Sequence, residues 1–147
     1  VRLVGSEMCI RDRLTKMQYY VTACSNDAMQ HAVLEALEKA PEYPESMCKE
    51  FKERRDLICE RLNSIPGVSC HVPTGAFYVF PKVDVPGMSS EEIAMALLEG
   101  GVLCSPGTAF GSAGEGHLRF AYTISRDDIS KGMDRVEKIL TDLRGNL

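Results

Sequence analysis

The chain has 147 residues, with 17 Lys and Arg against 21 Asp and Glu, 44% hydrophobic and 26% charged residues. That composition fits one soluble globular domain and excludes a disordered or collagen-like chain. A net charge of −4 and a pI near 5.4 leave no basic surplus to neutralise phosphates, so no nucleic acid and no anionic membrane is expected as partner.

No apolar run approaches the roughly 18 residues needed to cross a bilayer, and the start does not resemble a secretory signal. A cytoplasmic location is expected. Cys9, Cys24, Cys48, Cys59, Cys70 and Cys104 lie far apart, with no C-x-x-C pair and no His at ligand spacing. No metal site is expected, and most of these cysteines are expected to be reduced core residues. Residues 3–13, LVGSEMCIRDR, resemble the conceptual translation of a transposase adapter used in preparing sequencing libraries. Leu3, Val4 and Ile10 show no alternation that would make a strand. Residues 1–13 are therefore expected to carry no domain and few tertiary contacts, the domain to occupy residues 14–147, and the natural polypeptide to extend upstream, making the chain a C-terminal fragment.

From Ser25 the spacing of Met29, Val33, Leu37 and Ala40 follows one helical face, which Ser25 or Asn26 can cap and Pro41 stops. Pro44 opens a second helix of about five turns, with Met47, Phe51, Ile58 and Leu62 on one face and Asn63 with Pro66-Gly67 at its end. Residues 68–72 and 76–80 are rich in β-branched and aromatic side chains around Pro73-Thr74-Gly75 and predict a hairpin. Ser89 with Glu92 makes a capping box ahead of Ile93 and Leu97, and Gly100-Gly101 supplies the stop. Residues 101–104 predict a short buried strand. In residues 117–122 Leu118, Phe120 and Tyr122 alternate with His117, Arg119 and Ala121, so one face is core and the other presents an arginine. Ser125 with Asp128 caps a last helix carrying Ile129, Met133, Val136, Leu140 and Leu143 on one face. The order α, α, β, β, α, β, β, α predicts an α/β (α+β) two-layer sandwich, a small sheet with helices packed on one face.

Residues 106–116 hold four glycines and form a long connection for so small a domain, as binding loops often do. They lack the Gly-Lys-Ser ending of a phosphate loop. An arginine beside such a loop offers a planar pair of donors for a carboxylate; the same spacing also suits a structural salt bridge. No acid or base role is assigned to His31, His71 or His117.

Three segments carry a resemblance: PTGAFYVFP at 73–81, VLCSPGTAFG at 102–111 and GHLRFAY at 116–122. In this order they resemble the C-terminal, small domain of fold-type I pyridoxal-phosphate aminotransferases of class I/II, closest to the aspartate and aromatic branch, over residues 14–143. The resemblance implies an amino-group transfer between an amino acid and a 2-oxo acid, pyridoxal 5'-phosphate as cofactor, and a homodimer. It implies that Arg119 grips the substrate α-carboxylate, that Phe77 and Gly75 lie at the substrate, and that the segment of residues 20–26 approaches a neighbouring subunit's active site. No single contact is carried over to Ala23, Cys24, Ser25 or Asn26, which depart from the family's pattern. The lysine that holds the cofactor as a Schiff base has no match among Lys16, Lys39, Lys49, Lys52, Lys82, Lys131 and Lys138, so no catalytic residue is assigned and the fragment alone is expected to be inactive. The alternatives are a free-standing α/β ligand-binding or oligomerisation module, or a related lyase or decarboxylase using the same cofactor.

Overall fold

The structure, a computed structural model, describes residues 4–40 and 42–145, with side chains from residue 9 onward. The chain divides into two compact units, one up to Glu45 and one from Ser46. The first holds α1 (Val4–Val21) and α2 (Asp27–Lys39). The sequence reading has no element before Ser25, so α1 is a correction. Its residues lack an apolar stripe, but Glu7, Met8, Arg11, Arg13, Leu14, Lys16 and Met17 are good helix formers, and propensity rather than periodicity carries the helix.

Asn26 is the cap of α2, its Oδ1 accepting the Met29 N–H at 3.2 Å; the expected stop, Pro41, lies outside the described residues. The expected apolar face exists, yet no residue of α2 is buried. Met29, Val33 and Leu37 are all exposed, Leu37 to 73%.

From Glu42 to Ser64 runs α3, which buries Ile58, Cys59 and Leu62 and leaves Met47 exposed. The strands are short: β1 (Val68–Ser69), β2 (Tyr78–Val79), β3 (Lys82–Val83), β4 (Ser105–Pro106) and β5 (Leu118–Ala121), with α4 (Ser90–Glu99) between β3 and β4 and α5 (Arg126–Gly145) last. They form two small antiparallel sheets, β1-β3 and β2-β5-β4, joined by a bridge between Lys82 and His117. The mixed α+β class is as expected, with two small sheets in place of one.

The expected hairpin is not formed. Strand β1 pairs with β3, and β2 pairs with β5. The reason lies at Cys70, whose N–H donates to Asn63 Oδ1 at 2.8 Å and whose carbonyl accepts from Asn63 Nδ2 at 3.0 Å. A helix-end amide thus takes both backbone groups that a strand partner would need. The strand expected at 101–104 is likewise replaced. Gly101 has φ +80°, its N–H donates to Leu98 O and that of Val102 to Leu97 O. These two bonds make a Schellman motif that closes α4 and uses the amides a strand would have offered.

The core is continuous between the helices and the sheets. Leu62, Leu97, Leu118, Val136 and Leu140 have no exposed surface, and α5 contributes Ile129, Met133, Val136 and Leu140 on the predicted face. Ion pairs tie α5 to α3: Arg61 to Asp134 at 2.6 Å and Arg126 to Glu53 at 2.8 Å. All six cysteines are free; only Cys59 and Cys70 are buried, and Cys9, Cys24 and Cys48 are exposed. The expectation that most are core residues is corrected, because Cys9 and Cys48 stand on outward helix faces and Cys24 lies in the exposed connection between α1 and α2. Among the described residues no helix is long and apolar enough to cross a membrane, and no group of side chains could hold a metal ion.

Candidate functional site

The alternation in β5 decides where Arg119 goes. Leu118, Phe120 and Tyr122 enter the core at 0%, 4% and 1% exposure, so Arg119 leaves on the opposite face, half-buried. Its Cζ lies 4.5 Å from the ring centre of Tyr78 and 4.3 Å from that of Phe110. Strand β2 supplies Tyr78, and Phe110 closes the first of two short 3-10 turns in the glycine-rich segment. Among the described residues no carboxylate pairs with Arg119 and no hydrogen bond is made by its guanidinium. Among the described residues, the salt-bridge alternative is therefore not what this arginine does.

Further rings continue the surface. Phe80 packs edge-on to Phe110 at 6.0 Å and lies parallel to His117 at 5.2 Å. Phe77 rests on Tyr78 at 4.5 Å and tilts against Phe51 at 6.4 Å. The turn before it is held by Tyr122, whose hydroxyl donates to Ala76 O at 2.8 Å and whose N–H donates to Phe77 O at 3.0 Å. Ala76 has φ +61°, a conformation that costs an alanine energy and persists because the surroundings enforce it. Gly75 faces open space, with nothing within 4 Å of where a Cβ would sit.

The glycine-rich segment is folded rather than open. Gly107 and Gly114 pack backbone to backbone so closely that a Cβ on either would stand 2.0 Å from the other's carbonyl oxygen. Glu115 anchors its end: Oε1 accepts from Ser90 N at 2.8 Å and from Gly116 N at 3.0 Å. These backbone donors hold its carboxyl below the ordinary value of 4.5. Burial pushes the Cys70 thiol up to about 12 and that of Cys104 to about 11, which keeps both as unreactive thiols. A cavity of about 440 Å³ in the second unit, between Val102, Ile124, Ile129 and Arg135, does not include Arg119. The rings of Tyr78 and Phe110 border Arg119 itself.

Residues 4–136 match the family described as aminotransferase class I and II. The chain belongs to that family. It is 42% identical to an aspartate aminotransferase of Pyrococcus horikoshii over 86% of this chain and 33% of that protein. Among solved structures, an alanine aminotransferase from Pyrococcus furiosus superposes with a TM-score of 0.79 at 37% identity, over 89% of this chain and 33% of that one. An aromatic aminotransferase from Pyrococcus horikoshii gives a TM-score of 0.82 at 35% identity, over 89% and 36%. The chain spans about a third of the length of the curated relatives it matches. The match takes in residues 4–13, part of the stretch set apart as resembling an adapter.

Class I and II aminotransferases imply pyridoxal phosphate, and the lysines and glycine-rich segment among the described residues do not fit it. All seven lysines are exposed. The amides of Gly107, Gly111, Gly114 and His117 are spent on carbonyls of the same segment, and that of Gly116 on the Glu115 carboxylate. A phosphate needs free, converging amides and no competing anion. Of the residues singled out in the sequence, the fold brings Arg119 and the glycine-rich segment together through Phe110 and leaves Phe77 and Gly75 farther along the turn. Tyr78, Phe80 and Phe110 were missed. The alternation of Tyr78 and Phe80 is visible, but only the pairing of Tyr78 with Ala121 and Val79 with Phe120 brings them to Arg119's face, while Phe110 arrives from the folded glycine-rich segment.

Proposed function

We propose that the chain is the C-terminal, substrate-gripping domain of a pyridoxal-phosphate-dependent aminotransferase, which moves an amino group between an amino acid and a 2-oxo acid. The domain itself is taken as residues 14–147, and the parent enzyme as a cytoplasmic homodimer. The cofactor supplies the electron sink for amino transfer and is held by parts of the polypeptide outside this chain. The observation that carries the reading is the half-buried guanidinium of Arg119, presented on a strand and free of any acidic partner among the described residues. Such a group binds a carboxylate through two parallel hydrogen bonds and orients it. Gly75 and Phe77 stand beside the substrate, where the open space at Gly75 admits a ligand and the half-exposed ring of Phe77 shields it from water. The exposed apolar face of α2 and the neighbouring segment of residues 20–26 supply a surface for the second subunit. Free thiols throughout suit a reducing compartment.

Steady-state kinetics on the complete enzyme test the clamp. Arg119→Ala removes two hydrogen bonds to a charged group, each worth about 1.5–3 kcal/mol, so kcat/KM falls at least ~10-fold for every amino acid. Unchanged kcat/KM across a panel of amino acids overturns the assignment. The isolated chain should neither bind pyridoxal phosphate specifically nor transaminate; cofactor absorbance with turnover in the isolated chain would refute the division of labour.

A further inference from the structure

Resting on the clamp reading of Arg119, we propose that Tyr78 and Phe110 are positioning residues that hold its guanidinium between two aromatic faces and leave its edge to the ligand. The distances are those of cation–π contacts on both rings, 4.5 and 4.3 Å, well inside the ~6 Å at which a guanidinium is drawn to a ring face. Among the described residues no ring contact joins Tyr78 to Phe110, so the cation lies between the two rings rather than beside a stacked pair.

The consequence is directional. With a ring beneath Cζ on either side and no acidic partner among the described residues, the N–H groups stay free for a carboxylate, which binds a guanidinium in its plane. The rings accept no proton from those groups and offer no charge that would compete for them. They also fix a side chain that otherwise samples many rotamers, so less freedom is lost when the ligand arrives. Each ring is itself braced: Tyr78 by Phe77 at 4.5 Å and Phe110 by Phe80 at 6.0 Å. Both stand at the surface, at 37% and 52% exposure, so replacing them does not open the core.

Four substitutions in the complete enzyme test this, with Arg119→Ala as reference. Tyr78→Leu and Phe110→Leu keep apolar bulk and remove the ring; each should raise KM for amino acids, and Ki for unreactive carboxylates, about fivefold with kcat within about twofold. Tyr78→Phe and Phe110→Tyr retain the ring and should restore parental values. Leucine variants indistinguishable from the parent overturn the proposal, as does a Tyr78→Phe variant as impaired as Tyr78→Leu. If Arg119→Ala is severe while both leucine variants are neutral, the positioning role alone falls; if Arg119→Ala is itself neutral, the clamp reading falls with it.

Discussion

Helices α2 and α5 carry nearly the same kind of apolar stripe and meet opposite fates. In α5 the stripe Ile129, Met133, Val136, Leu140 is buried to within 3% of completeness, whereas in α2 the stripe Met29, Val33, Leu37 is exposed throughout. A helical period therefore reports that a face needs covering and is silent about what covers it. In the second unit the cover is the unit's own core of helices and strands; in the first it is not the unit itself.

The largest contrast should appear on truncating those stripes. Leu140→Ala removes a side chain with no exposed surface and should cost about 2–5 kcal/mol. Leu37→Ala, at 73% exposure, should change stability by less than about 0.5 kcal/mol. Urea unfolding followed by circular dichroism measures both. A large loss for Leu37→Ala would show that α2 is covered after all, as a second subunit would cover it.

Next in size is a contrast between glycines. Gly107→Ala places a Cβ 2.0 Å from Gly114 O and 2.8 Å from His117 O, both backbone atoms that cannot rotate away, and should cost about 1–3 kcal/mol. Gly132, inside α5 with nothing within 4 Å of its Cβ position, should gain about 0.5–1 kcal/mol on becoming Ala. Thermal unfolding separates the two signs; equal effects would mean that the segment of residues 106–116 yields more readily than its backbone contact indicates.

Local chemistry was legible in the sequence and long-range pairing was not. Ser89 with Glu92 is the capping box it reads as, with Ser89 Oγ accepting the Glu92 N–H and Glu92 Oε2 accepting the Ser89 N–H at 2.8 Å. Ser125 accepts the Asp128 N–H at 3.2 Å, and the inward face of β5 is the predicted one. Each depends on residues within four positions of one another. The hairpin failed because Asn63, seven residues away in sequence and at the end of another element, captures Cys70. Arg119 was legible as an outward-facing arginine. That Tyr78 and Phe110 flank it depends on the register of β2 on β5 and on the backbone contact of Gly107 with Gly114, which no local pattern encodes.

Helix caps give a smaller and more even comparison across the two units. Asn26 caps α2 through one hydrogen bond and Ser89 caps α4 through a reciprocal pair. Ser89→Ala should cost about 1 kcal/mol of global stability. Asn26→Ala should instead shorten α2 without shifting the main unfolding transition, since α2 buries nothing. Hydrogen exchange at the amides of residues 27–30 and 90–93 reads the two effects separately. Coincident losses in both probes would show that the units unfold as one.

The smallest effect is the acid limb of stability, and it belongs to the second unit. There the carboxyls of Glu50, Glu92 and Glu115 are held below their ordinary value of 4.5: Glu50 by the Arg54 guanidinium, Glu92 by the backbone N–H and hydroxyl of Ser89, and Glu115 by the N–H groups of Ser90 and Gly116. A carboxyl lowered in the folded state stabilises it above the unfolded value, and that contribution fades as pH falls through the folded one. Stability should thus be flat above pH 4.5 on this account and decline below it. Glu115→Gln keeps an amide oxygen that can still accept from Ser90 N, yet has no proton to gain. The variant should start slightly less stable at neutral pH, because an ionised acceptor binds an N–H more strongly than a neutral one, and should lose less on acidification. Urea midpoints measured from pH 6 downward, in steps of about half a unit across the ordinary carboxylate range, give both slopes. Parallel curves for parent and variant would mean that Glu115 does not feel its two amide donors as the geometry indicates.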